Sequence, residues 1–211
     1  MGPMLLSLLP VRSGSSSRTS AKQKRLKFLL ASASPQRSKL LGAAGYEFDV
    51  VTVDVVEVAG GFEPAHIAVI NAEAKARAGA LLDQSAVVLG ADTVVDVEGV
   101  ALGQPVDAAQ ALDFLRLLSG STHEVHTGVC VIEGESTRSG VSSTRVSFRD
   151  LTEGEMDAYV NSGEWEGRAG GYAIQETGDQ FVTSVEGDFD NVIGLPMELV
   201  KLLLPVSVQP A

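Results

Sequence analysis

Asp92, in the segment "LGADT", and Arg37, in "ASASPQRSKLL", are the two positions where the sequence sets charge against its surroundings. Asp92 follows an apolar run, and Gly90 and Ala91 leave room beside it. Its carboxylate is therefore expected at a strand end, where it can bind a divalent cation, take a proton from water, or bond its own turn backbone. Arg37 adds positive charge to the first turn of a helix whose dipole is already positive there. That placement makes sense if an anion lies between helix terminus and guanidinium, joined by the hydroxyls of Ser32 and Ser34. Read as an ordinary Ser-Pro cap, the stretch needs no ligand.

Lys75 lies on a long helix two residues from Arg77, and about 200° of rotation keeps the pair from sharing a site. Arg168 and Gln175 are the polar residues of "GRAGGYAIQ", and Gln175 can bond a base edge or a neighbouring strand. His123 and His126 are an odd step apart on a strand and point to opposite faces, so they form no metal pair. Cys130 is the single cysteine; its strand-like setting predicts a buried structural thiol in a reducing compartment. "GSSSR" lacks the strand and lysine of a phosphate-binding P-loop.

These residues need elements to hold them. "KFLLAS" reads as a buried strand, followed by a helix capped by Ser34, with Pro35 at its first position, ending near Gly45. "YEFDVVTVDVVEV" reads as a strand with a ragged end. A helix follows from Glu63 to Leu82, with an apolar stripe of Ile67, Ile70, Ala74, Ala78 and Leu81. "AVVLGADTVVDVEGVAL" gives two strand-like runs interrupted at Gly90 to Asp92, then a hairpin at Glu98 and Gly99. A helix between Asp107 and Gly120, a hairpin pair, and a capping box at Thr152 to Glu155 come next. "GYAIQE" and "FVTSVEGD" read as late strands and "PMELVKLLL" as a terminal helix. Alternating elements mixed with hairpins predict an α/β protein with a mixed sheet and no internal domain boundary.

At 211 residues and 45% hydrophobic, the chain can bury one sizeable core. Six of its sixteen basic residues fall in 1–27 with no acidic residue, leaving ten basic against twenty-seven acidic residues and a charge of −17. Such a body repels nucleic acid. No run reaches the roughly 18 to 20 apolar residues of a membrane span. The basic 1–27 stretch reads as a disordered leader or a transit peptide, which puts the protein in the cytoplasm or in an organelle respectively.

In order, "LLASASPQRSKLL", "NAEAKA", "LGADTVV", "LGQP", "LRLLSGSTHEVHTGV", "GRAGGYAIQ" and "DNVIGLP" resemble the Maf family of nucleoside triphosphate pyrophosphatases, across residues 28 to 204. The resemblance implies an elongated, two-lobed α/β fold related to the inosine triphosphatases, with flanking helices, a cleft between the lobes, and a homodimer. It also implies hydrolysis of a nucleoside triphosphate between its α and β phosphates, with Mg²⁺ or Mn²⁺. Removal of non-standard nucleotides and slowing of septum formation are the associated roles.

By position, Asp92 matches the proton acceptor, and Asp92 with Glu57 the cation site, although Asp54 competes for the second place. Ser32, Ser34, Arg37, Lys75 and Arg168 match substrate-binding positions. Gln36, Thr93 and Gln175 match the positions that choose the base. Thr93 and Gln175 look like the subgroup acting on dTTP and UTP, whereas Gln36 replaces its usual arginine. Gln104 stands where a phosphate-binding lysine is frequent, and Arg168 where lysine is common. The loss of the usual basic side chains at Gln36 and Gln104 motivates the alternative of a non-catalytic nucleotide-binding regulator of septum formation, whereas Arg168 keeps the charge.

Overall fold

A computed structural model describes residues 26–210, so the expectations for the basic leader fall almost wholly outside the described residues. The elements are β1 (Phe28–Ala31), α1 (Pro35–Ala43), β2 (Asp49–Val51), α2 (Pro64–Leu82), β3 (Val87–Val97), β4 (Val100–Leu102), α3 (Ala108–Leu118), β5 (Thr122–Glu133), β6 (Ser136–Phe148), α4 (Glu153–Ser162), β7 (Val182–Glu186), α5 (Phe189–Ile193) and α6 (Met197–Leu203). They build one sheet in the order β2-β1-β3-β5-β6-β7, with β4 added beside β3. β2, β1 and β3 are parallel and the other pairs antiparallel, which makes the sheet mixed, as the pattern predicts. Among the described residues, no helix is long and apolar enough to cross a membrane.

β3 is continuous, not two runs. The interruption read at Gly90 to Asp92 is a packing device. A Cβ on Gly90 would lie 2.4 Å from the Ala72 carbonyl oxygen, and one on Gly128 of β5 would lie 2.3 Å from that of Ala68. Both glycines let α2 settle onto the sheet through its small side chains. The buried stripe of α2 is accordingly Ile67, Ala68, Asn71, Ala72, Ala76 and Gly79, and the stripe expected from Ile70 to Leu81 is displaced: Leu81 is exposed.

The other edge of β3 changes partner along its length. β1 pairs with it as far as Ala31 opposite Gly90, and β4 takes over from Leu102 opposite Val95. Between them, residues 91–94 have only β5 beside them, so Asp92 stands in mid-strand at a gap in the sheet, a correction to the expected strand end.

On the face opposite α2 the core is divided. Leu89, Ala91, Val129 and Val131 pack with α1 and α6, while Val95, Val97 and Val125 pack with α3 and α4. The register pair Thr93 and Thr127 sits between the two, a polar waist separating two lobes.

Of two further strand expectations, one is cut to 3 residues and the other fails. The segment after Phe48 pairs only at Asp49–Val51, and Val56 is fully solvated, because side-chain bonds from α2 take over the backbone of Val58. "GYAIQE" forms turns: Gly170 and Gly171 have positive φ, and Tyr172, Ala173 and Ile174 are all buried rather than alternating. Cys130 is buried in β5, and burial pushes its thiol up to about 12.

His123 carries a measurable consequence. It is 2% exposed, with Nε2 2.9 Å from the Tyr172 hydroxyl and its ring against Phe148, and burial pushes it down to about 4. The unfolded chain therefore binds more protons between the ordinary value of about 6.5 and pH 4, and stability present above that window is lost as pH falls through it. The loss is on the order of 3 kcal/mol by pH 4. Melting temperatures measured from pH 7 to 4 should decline along this slope, and His123→Phe should flatten it.

Candidate active site

Successive side chains of a strand point to opposite faces, and at the gap in the sheet this puts two chemistries side by side. Asp92 faces α2. Its Oδ1 lies 2.6 Å from Lys75 Nζ and its Oδ2 accepts from Asn71 Nδ2 at 3.0 Å. Lys75 Nζ also lies 2.7 Å from Glu57 Oε1, so one ammonium joins two carboxylates. Glu57 is brought there by its neighbour: Val58 N donates to Asn71 Oδ1 at 2.8 Å and Val58 O accepts from Asn71 Nδ2 at 3.0 Å. Of the two competing acids, the structure brings Glu57 to Asp92, while Asp54 is exposed away from the cluster. Arg77 turns away as expected, pairing with Glu73.

Thr93 faces α1 and α5. Arg37, buried at the start of α1, donates Nη2 to Thr93 Oγ1 at 2.9 Å, Nη1 to Ser32 Oγ at 3.2 Å and Nε to the Gly194 carbonyl at 2.8 Å. Gly194 caps α5 at φ 119°, a conformation that side chains rarely adopt, and so aims that carbonyl at the guanidinium. Burial lowers the Arg37 pKa, opposed by Asp92 and Glu57, and the guanidinium stays charged. Three of its five N–H groups are thus partnered within the protein, leaving two for a ligand. The helix terminus itself is a poorer anion cradle than the sequence suggests. Pro35 has no N–H, and the Arg37 N–H lies on the capping Ser34 hydroxyl. Ser32 Oγ accepts from both Ser34 N and Arg37, so its own proton remains to be donated.

Both chemistries open on one cleft of about 410 Å³. Asp92, Glu57, Arg37, Thr93, Ser34 and Gln36 line it together with Gln104, Arg168 and Gln175, against apolar walls that include Ile67, Val95 and Ile174. Ser32 and Lys75 stand behind the lining. Arg168 bonds Glu176 through Nη2 at 3.2 Å, and its buried Nε has no partner among the described residues. His123 and His126 lie in separate settings, His126 between Ser143 and Asp96.

Three residues of the site are missing from the sequence reading: Asn71, Thr127 and Asn191. Thr127 Oγ1 donates to the Asn191 carbonyl at 3.0 Å and lies 3.0 Å from Thr93 Oγ1. Asn191 is fixed in turn by donating to Val125 O and Thr144 Oγ1. The "HTG" and "DNV" tripeptides carried the only signal for the last two, a polar residue inside an apolar run.

Comparison with known proteins finds relatives over most of the chain. The family model described as Maf-like protein matches residues 27–206. A dTTP/UTP pyrophosphatase of Deinococcus radiodurans is 46% identical over 176 residues, covering 83% of this chain and 90% of that protein. One of Bacillus cytotoxicus is 45% identical over 172 residues, covering 81% and 90% respectively. Among solved structures, the Staphylococcus aureus Ham1 protein matches 59% of this chain and 72% of its own, at 16% identity and a TM-score of 0.42.

Proposed function

Because the chain belongs to the Maf-like protein family, we propose that it is a nucleoside triphosphate pyrophosphatase acting on dTTP and UTP, cleaving between the α and β phosphorus atoms to give the monophosphate and pyrophosphate. The observation that carries this reading is the cleft itself, where a held carboxylate and a buried guanidinium meet from opposite faces of one strand.

Asp92 orients the attacking water and takes its proton. A carboxylate has about four lone-pair directions; Lys75 and Asn71 use two and leave the rest for water and a cation. Asp92 and Glu57 suit a hard divalent ion such as Mg²⁺ or Mn²⁺. Two carboxylates, with no group of three or more His, Cys, Asp or Glu among the described residues, fit an ion that keeps several waters and takes its other ligands from phosphate. Bound there, the ion supplies charge neutralisation at the phosphate oxygens. Arg37, held from behind by Ser32, and Arg168 stabilise charge growing on the departing pyrophosphate, the kind of preorganised electrostatics that usually dominates catalysis.

The reading extends to a homodimer acting in the cytoplasm, or in an organelle if residues 1–27 direct it there, without a nucleic-acid partner. Clearing of non-standard nucleotides and restraint of septum formation are its outlets. The test is product analysis with dTTP, UTP, CTP, GTP and methylated nucleotides in Mg²⁺ or Mn²⁺. Stoichiometric pyrophosphate and monophosphate from dTTP and UTP, abolished by chelator, is the expected result. Orthophosphate in place of pyrophosphate, or no turnover of any nucleotide, overturns the assignment.

A further inference from the structure

We propose that Lys75 is a placeholder whose ammonium competes with the divalent cation for the same oxygens of Asp92 and Glu57, so that the ion must displace it to bind and Lys75 sets how much cation the enzyme needs. The inference rests on the pyrophosphatase reading above for the choice of ion.

The structure already puts one cation between these two carboxylates. Lys75 Nζ lies 2.6 Å from Asp92 Oδ1 and 2.7 Å from Glu57 Oε1, and its side chain is 14% exposed. Mg²⁺ holds its oxygens at about 2.0 to 2.1 Å, so an ion on Asp92 Oδ1 would lie within about 5 Å of the ammonium. Like charges that close in a partly buried site repel strongly. Asp92 has lone pairs to spare for an ion, but charge, not the count of lone pairs, keeps ion and ammonium apart. Charge also favours the exchange: one ammonium leaves two carboxylates one positive charge short, and a divalent ion balances them.

The site does not depend on the lysine for its shape. Asn71 Nδ2 holds Asp92 Oδ2 at 3.0 Å, and the same amide brackets Val58, next to Glu57, through both its N–H and its carbonyl. A neutral group therefore keeps both carboxylates in place when the ammonium leaves. Lys75 is free to leave, because among the described residues its Nζ pairs with these two acids alone and its four-carbon stem is flexible.

The test measures Mn²⁺ binding to the full chain without nucleotide, from the electron paramagnetic signal of the free ion, in wild type and Lys75→Met. Methionine removes the competing charge and keeps the stem, so the Kd for one Mn²⁺ should fall at least about tenfold, the opposite of what loss of a supporting side chain does to a metal site. Adding Asp92→Asn to Lys75→Met should abolish that gain, which separates this site from the acidic surface. In the wild type, saturating Mg²⁺ should raise acetylation of Lys75 by acetic anhydride several-fold, read by peptide mass, because the amine has left its ion pairs. An unchanged or weaker Kd, a gain that survives Asp92→Asn, or a Lys75 that stays protected in Mg²⁺ overturns the proposal. If Lys75→Met does not fold, Lys75→Gln decides by the same measure, and if neither folds the wild-type labelling decides. Product analysis is separate: failure to turn over any nucleotide removes the pyrophosphatase reading, whereas the exchange of lysine for ion stands or falls on binding and labelling.

Discussion

Asp92→Asn should lower kcat for pyrophosphate release at least about a thousandfold while the melting temperature moves by only a few degrees. A positioned general base contributes about 10² to 10⁴ in rate, and here the same carboxylate also helps to hold the cation. The substitution keeps the shape. Its carbonyl oxygen still accepts from Asn71, but its NH₂ then faces the Lys75 ammonium, a donor against a donor where the wild type has a 2.6 Å ion pair. Lys75 keeps its other carboxylate, Glu57, so the cluster is not left with an unpaired buried charge. Steady-state pyrophosphate release and thermal unfolding of the purified variant check both halves. Turnover within tenfold of wild type would take the base role away from Asp92.

Arg37→Met should reduce kcat/KM for dTTP by about a thousandfold and also destabilise the fold by about 2 kcal/mol, because this side chain is both ligand and tie. It joins the loop after β1, the middle of β3 and the end of α5 through three hydrogen bonds. Methionine fills the volume but leaves the Gly194 carbonyl and the Ser32 and Thr93 hydroxyls short of a donor in a buried setting. Arg37→Lys restores the charge, yet a single ammonium cannot reproduce the planar fork that reaches three acceptors on three elements. It should recover less than about tenfold of the lost kcat/KM. Kinetics and urea unfolding measured on both variants separate the roles. A lysine variant at the wild-type rate would show that charge alone matters.

The chemistry of the site is more legible in the sequence than its geometry. Arg37 stands out because it opposes a helix dipole, and Asp92 because small residues precede it. The reading of Gly90 as a break, however, mistakes its purpose: it admits a helix to within contact of the backbone, and a lone sequence does not show which helix crosses there. The stretch "VTVDVVEV" is rich in β-branched residues, yet a strand also needs a neighbour with free backbone groups. α2 supplies a side chain instead, since Asn71 bonds both the N–H and the carbonyl of Val58. Asn71, Thr127 and Asn191 stay hidden for one reason. Their partners lie far along the chain and are largely main-chain groups, which no residue type advertises. Heptad-like spacing misplaces the α2 stripe because a face of alanine and glycine carries little hydropathy signal although it makes the closest contacts.

The polar waist has a mechanical meaning. Apolar filling resists deformation in both lobes, and β3 and β5 run unbroken from one to the other, paired from Val87 opposite Glu133 to Asp96 opposite Glu124. A pair of long strands gripped by an apolar core at each end has the shape of a torsion spring, and the joint between the grips is braced by the hydrogen bonds of Arg37 and Asn191. A twist about Thr93 and Thr127 would widen or narrow the cleft without disturbing either core, against those bonds. Asp92 and the Thr93 that carries Arg37 sit on opposite faces of β3 at that axis, so a triphosphate held by Arg37 and, through a cation, by Asp92 would lock the angle of twist.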